Sequence, residues 1–164
     1  MTLFEPILVA LNGSGVRFVV VGGVATVLHG HPRFTADLDV ALDLSFDNPR
    51  RAVDALLAIG LAPLLPVDAR EFADPATRRT WVTDRHLMVF TFADPDDPFH
   101  HVDLFAEDPV PFEELWERSV DVRLGSISVR IASLDDLIAM KRVAGRPQDL
   151  ADIAALELIK RGDR

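Results

Sequence analysis

Cysteine and tyrosine are both missing from the 164 residues. Without a thiol there is no disulfide, no thiolate metal site and no cysteine nucleophile, so any metal must rest on carboxylate or imidazole. A cysteine-free chain suits a reducing cytoplasm, the expected location. Without tyrosine, a stacked base or ring must meet Phe, Trp, His or Arg. Lysine is scarce: 15 of the 17 basic residues are Arg, and only Lys141 and Lys160 are Lys. Long apolar runs are lacking too, since charges or glycines interrupt each one well short of the roughly 18 residues a membrane span needs. The start, Met1 to Pro6, has no basic stretch of the secretory type. Neither a membrane segment nor a signal peptide is expected.

What is abundant is acid. The formal net charge is -9, which would argue against a long nucleic acid partner, because phosphate affinity comes from Lys and Arg releasing counterions. The average misleads. From Asp94 to Asp121 there are ten acids and one base, Arg118, whereas outside that window acids and bases number 16 each. The length and the 49% hydrophobic content fit one domain able to bury a core.

Periodicity predicts a short helix over Leu3 to Leu11, stopped by Asn12-Gly13-Ser14-Gly15, then a buried strand over Val16 to Val21. Gly22-Gly23 punctuates it, and Val24 to His29 reads as a short helix. Asp37 to Leu42 alternates polar and apolar residues, the mark of a strand with one polar face. Pro49 opens a helix to about Ile59. Leu61 to Asp84 is ambiguous, with a short strand near Leu64 and a polar excursion carrying Arg78-Arg79. His86 to Phe92 and His101 to Phe105 are strands separated by a turn over Asp94 to Pro98. Phe112 to Arg118 is helical, and Val120 to Leu124 with Ser126 to Ile131 forms a hairpin around Gly125. Ser133 caps a helix to about Ala144, Gly145 closes it, and Pro147 begins a last helix through Lys160. The expected fold is one α+β (mixed α/β) domain over residues 1–164. It has a mixed sheet flanked by helices, a core at about 16–131 and C-terminal helices at about 133–161.

Asp37-Leu38-Asp39 is the sharpest feature. Residues two apart on a strand share a face, so both carboxylates project together, and a hard divalent cation is the economical way to hold them there. Alone, the pair also fits a turn cap beside a solvated acid. Context adds to it: the glycine turn thirteen residues upstream lets backbone amides approach an anion at a helix start. It is neither a Walker A loop nor a dinucleotide fingerprint, because the Lys-Ser/Thr ending and the third glycine are lacking. A third acid, Asp103, lies in the apolar strand His101 to Phe105, where a lone carboxylate is costly unless paired or metal-bound. If the two strands are neighbours, three carboxylates converge, a set able to clamp two ions for an in-line phosphoryl or nucleotidyl displacement.

The run Val21-Gly22-Gly23-Val24-Ala25, His29-Gly30, Arg33, Thr35, Asp37-Leu38-Asp39-Val40, with Asp103 later, resembles the nucleotidyltransferase superfamily of DNA polymerase β-like fold. It is most similar to the AbiEii-like and minimal nucleotidyltransferase branch. The likeness covers about residues 16–105, and Lys141, Gly145-Arg146, Asp149 and Asp152 resemble the segment that follows in the AbiEii-like branch. The resemblance implies that Asp37, Asp39 and Asp103 are catalytic and hold two Mg2+ ions, or Mn2+ in their place. It implies that Gly22, Gly23, Arg33, Thr35 and Lys141 bind the nucleotide, the glycines through backbone amides and Arg33 and Lys141 by balancing phosphate charge. Many active members carry Ser where this chain has Gly23, so that hydroxyl contact is lost or supplied by backbone. The implied reaction transfers a nucleoside monophosphate from a nucleoside triphosphate to a hydroxyl on a tRNA 3′ end, a protein side chain or a small molecule. A cognate toxin or antitoxin is the implied protein partner. The alternative is a catalytically decayed nucleotide-binding or antitoxin-like module. A metal-dependent phosphohydrolase would need only the triad and leaves the glycine spacing unexplained.

Other residues are expected to be structural. His100 and His101 flank the third acid, but hard cations prefer oxygen, so they read as supports. His29 fits a core histidine or a nucleotide contact equally. Arg78-Arg79 reads as a solvated face, with pairing to Trp81 for a base or single strand as the rival. Asp149 and Asp152 share a helix face and are expected to cap or to pair with Arg142 or Arg146.

Overall fold

The fold comes from a computed structural model that describes residues 3–162. Its elements run α1 (Glu5–Gly13), β1 (Phe18–Val21), α2 (Gly22–Leu28), β2 (Asp37–Leu42), α3 (Asn48–Ala58), β3 (Ala62–Pro63), a 3-10 turn (Ala69–Ala73), α4 (Pro75–Arg85), β4 (Val89–Asp94), β5 (Asp97–Phe105), α5 (Phe112–Arg118), β6 (Val120–Leu124), β7 (Ile127–Ile131), α6 (Leu134–Ala144) and α7 (Pro147–Arg161). The strands form one seven-stranded mixed sheet in the order β3-β4-β5-β2-β1-β7-β6. Among the described residues no helix is long and apolar enough to cross a membrane.

Strand parity divides this sheet into an apolar face and a polar one. Leu38 is level with Val102 and Phe92, and Val40 with Leu104 and Phe90. All six are buried, and Phe90 stacks on Phe72 of the 3-10 turn at 5.5 Å and on Trp81 of α4 at 5.0 Å. Each such ring contributes about 1.5–3 kcal/mol by leaving water. The alternate residues make the other face, where one row reads Thr91, Asp103, Asp39, Val21 across four strands and the row beside it reads Ala93, His101, Asp37. The hydrophobic demand of Leu38 and Val40 thus fixes where Asp37 and Asp39 point, because a slip of one residue would bury both acids.

Several boundaries differ from the sequence reading. β1 starts at Phe18 rather than Val16, whose N–H is taken by Leu11 O at 3.1 Å in the turn after α1. α2 begins on the two glycines themselves, with Gly22 at φ +63°, a left-handed conformation that disfavours a side chain. The ambiguous 61–84 stretch contains a second capped helix. Asp74 accepts from Thr77 N at 2.8 Å, Pro75 fills the first turn, and His86 ends α4 at φ 53° instead of starting a strand. β5 begins at Asp97, so the turn before it shrinks to Pro95–Asp96. The C-terminal pair follows the expectation, with Ser133 accepting from Asp136 N at 3.1 Å and Gly145 closing α6 at φ 64°.

Arg78 is neither a solvated face nor a recognition patch. It is buried, donating to Phe72 O at 2.6 Å and Leu44 O at 3.2 Å, and Trp81 beside it is buried too. Carbonyls at the end of a turn and past a strand accept its charge, so Arg78 is an internal tie between elements, while Arg79 stays exposed as expected.

Candidate active site

β1 ends at Val21, which pairs antiparallel with Asp39, so the chain leaves β1 and enters α2 directly over that carboxylate. Asp39 accepts a hydrogen bond from the Gly23 backbone N–H, and a Cβ on Gly22 would collide with its carboxylate. Gly22 is therefore required twice, by its positive φ and by the approach of Asp39. On the other side of β2, Asp39 is level with Asp103 on parallel β5. Parallel neighbours lie about 4.8 Å apart, which sets two carboxylates side by side at the polar face. Asp37 is half exposed and faces His101, with Nδ1 3.4 Å from Asp37 Oδ1.

The electrostatics follow from that crowding. Asp39 is pushed up to about 7, first by burial and then by the charges of Asp103 and Asp37, against the Gly23 N–H and Arg146. Asp103 is raised chiefly by burial, with the hydrogen bond from Thr91 pulling it down and Asp37 pushing it up. Thr91 Oγ1 donates to Asp103 Oδ1 at 2.6 Å. Three oxygen donors on adjacent strands are the chemistry a hard divalent cation takes, and the raised carboxyls mark negative charge with too little positive charge beside it. As their side chains stand, among the described residues no three acids or histidines form a group that could hold a metal ion. Asp39 and Asp103 are level on adjacent strands, so an ion between them would lie within reach of both carboxylates. To share it, Asp39 would have to turn away from Gly23, while Asp103 can keep Oδ1 on Thr91 and turn Oδ2 to the ion.

Thr35 occupies the space a Gly23 side chain would fill. A Cβ there would stand 2.6 Å from Thr35 Oγ1 and 3.4 Å from Arg33 Nη2, while the Thr35 hydroxyl donates to Asp37 O at 3.2 Å. A hydroxyl from two residues before Asp37 thus stands beside the place where a serine side chain would enter.

The two expected phosphate-balancing cations are drawn together by an acid the sequence reading had assigned to helix pairing with Arg142 or Arg146. Asp152 of α7 is completely buried and accepts from Lys141 Nζ at 2.6 Å, from Arg33 Nη1, and from Gln148 Nε2 at 3.3 Å, with His31 Nε2 at 3.6 Å. Its carboxyl is held below the ordinary range: burial, the largest influence, opposes this and is outweighed by Lys141, Gln148 and Arg33. Asp149 pairs with Arg146 as expected, at 2.7 Å from Nε. His29 resolves as a structural tie, its Nε2 2.8 Å from Ala132 O. His100 pairs with Asp97 at 2.7 Å and, by parity, points opposite to His101 and Asp103. Sequence alone does not assign Thr91, His31 or Arg146 to the site. For Thr91 no local signal existed, since only the β4–β5 register brings it to Asp103.

The fold has counterparts in known proteins. A family described as nucleotidyl transferase AbiEii toxin, type IV TA system, matches residues 7–161. Among curated proteins no sequence match was found. Several solved structures share the fold, three of them as follows. The lincosamide antibiotic adenylyltransferase LnuA, lincomycin-bound, is 15% identical with a TM-score of 0.59, over 96% of this chain and 92% of that one. ANT(2")-Ia in complex with adenylyl-2"-tobramycin is 14% identical with a TM-score of 0.59, over 99% and 95%. An antigenic nucleotidyltransferase-like protein from Paracoccidioides brasiliensis is 16% identical with a TM-score of 0.57, over 94% and 73%.

Proposed function

The chain belongs to the AbiEii nucleotidyl transferase family, and on that premise we propose that it moves a nucleoside monophosphate from a nucleoside triphosphate to an acceptor hydroxyl, releasing pyrophosphate. The observation that carries this reading is the level pair Asp39 and Asp103 beside the glycine start of α2. Asp37, Asp39 and Asp103 would hold two divalent ions, Mg2+ in the first instance. When bound, the ions would supply charge neutralisation at the attacking and leaving oxygens.

The chain's own residues do the rest. The amides that open α2 and the Thr35 hydroxyl face the triphosphate. Lys141 and Arg33, fixed by Asp152, add positive charge behind them. Asp103 keeps one oxygen on Thr91 and offers the other to the proton of the acceptor hydroxyl. The hydroxyl oxygen forms a bond to the α-phosphorus as the bond to the bridging oxygen breaks, and the electron pair leaves with pyrophosphate. Positioning and fixed charge, more than covalent chemistry, lower the barrier.

The acceptor is a tRNA 3′ end, a protein side chain or a small hydroxylated molecule, and a cognate antitoxin would be the protein partner in a toxin-antitoxin pair. A second reading, a nucleotide-binding module without transfer, draws support from the uncollected carboxylates and from Gly23. One experiment separates them. The protein is incubated with each α-32P-labelled nucleoside triphosphate, Mg2+, and pools of total tRNA and lysate. The transferase reading expects label on an acceptor with pyrophosphate release, both lost in Asp37→Ala. Nucleotide binding with neither product would sink it in favour of the module.

A further inference from the structure

The two cations expected to receive the phosphates are inward-facing. Lys141 is 7% exposed and Arg33 20%, and both spend their charge on Asp152. Arg146, which caps the start of α7, is arranged the other way. Its side chain is 75% exposed, yet Nε donates to Asp149 Oδ2 at 2.7 Å and Nη2 to Asp149 Oδ1 at 3.3 Å, while its backbone N–H donates to Asp149 Oδ2 at 3.1 Å. Asp149 itself is 1% exposed. The buried carboxylate therefore grips one edge of the guanidinium and orients it. Among the described residues, no hydrogen bond ties Nη1. Contacts connect Arg146 to the glycine turn through Asp149: Lys141 Nζ lies 3.7 Å from Asp149 Oδ1 and 2.6 Å from Asp152 Oδ2, Asp152 also holds Arg33, and Arg33 Nη2 stands 3.4 Å from the place a Gly23 Cβ would take.

We propose that Arg146 is the side chain that contacts the outer phosphates of the incoming triphosphate, with Asp149 as its positioning residue and Lys141 and Arg33 as fixed charge behind it. A planar fork held on one edge offers its free edge to two phosphate oxygens with little further ordering. The proposal rests on the nucleotidyltransferase reading and adds one point: discrimination of triphosphate from monophosphate lives on the first turn of α7.

The test is calorimetric binding of a nucleoside triphosphate and its monophosphate to wild type and Arg146→Gln, with thermal melts confirming the fold. Arg146→Gln should weaken the triphosphate by tenfold to a hundredfold, roughly one charge-assisted hydrogen bond, and leave the monophosphate within about twofold. Equal losses for both, or none in a folded variant, overturn the proposal while the enzyme reading stands. A wild type that binds no triphosphate overturns the reading itself. Should the variant not fold, the wild type answers alone: inorganic tripolyphosphate should shield Arg146 from phenylglyoxal, read by peptide mass spectrometry. Unchanged modification refutes the contact.

Discussion

Asp39 gives the site a stability signature that can be measured without knowing the substrate. Burial and two neighbouring acids raise it from 3.8 to about 7. That distance corresponds to about 4 kcal/mol separating its protonated and charged forms in the fold. In the denatured chain the carboxyl titrates near its ordinary value, so between about pH 4 and pH 7 the folded state holds more protons than the unfolded one. The stabilisation is then fully present below pH 4 and is lost as pH rises through 7. Asp39→Asn keeps an acceptor for the Gly23 N–H and never charges. Urea unfolding in chelator from pH 4.5 to 8 should give curves that nearly meet at the acid end. At pH 8 the variant should be the more stable protein, by up to about 4 kcal/mol, or on the order of 10 °C in Tm for a chain of this size. Millimolar Mg2+ should restore much of the wild-type deficit and leave the variant unchanged, because a cation relieves only a charged carboxylate. Parallel curves across the whole range would refute the claim that Asp39 is squeezed by Asp37 and Asp103.

Three further outcomes follow from single contacts. Asp152→Asn strands two cations in a buried site and should cost about 3–5 kcal/mol in urea unfolding; a loss below about 1 kcal/mol would mean the cluster is solvated. Gly23→Ser, which restores the residue common in the superfamily, should lower stability by about 1–3 kcal/mol, because its Cβ would meet Thr35 Oγ1 at 2.6 Å, and should weaken triphosphate binding. A gain in either would show that Thr35 does not fill that role. Thr91→Val removes a donor that favours charged Asp103, so Asp103 should rise further in 13C carboxyl titration and the acid limb of the rate profile should move to higher pH. An unmoved limb would take Asp103 out of the proton transfer.

Much of this was legible because strand parity is a local rule. Asp37 to Leu42 alternates so regularly that both ends of β2 match the sequence reading, and the shared direction of Asp37 and Asp39 follows from the burial of Leu38 and Val40. Residues 61–85 carried no usable periodicity; their order comes from caps at Asp68 and Asp74, which fix helix starts without marking a buried stripe. The ends of β4 and β5 moved because a two-residue turn suffices where the composition of Asp94 to Pro98 favoured a longer one. Asp152 was legible only as a helix residue. Its partner Arg33 lies 119 positions away, and nothing in either segment encodes that the loop before β2 would fold against α7.

The acidic window illustrates the same limit at the level of charge. Along the chain, Asp94 to Asp121 is one run of negative charge; in space it is dispersed over a hairpin, a helix and an edge strand, and much of it is paired. Glu113 meets Arg17 at 2.9 Å, Glu114 meets Arg118 at 3.2 Å, Asp121 stands 3.9 Å from Arg130, and Asp97 takes His100 at 2.7 Å. Of the ten acids only Asp103 joins the site. The bases that could answer a polyanion are divided in the same way: Arg33, Lys141 and Arg78 are turned inward, and the first two are held by Asp152. Turned inward, these three bases are withdrawn from the counterion release on which affinity for a long nucleic acid depends. A triphosphate asks for much less, a few amides, one fork and charge at the carboxylates. On the proposed reading those requirements fall to the start of α2 and the start of α7, which would suit an acceptor engaged mainly through its reacting end.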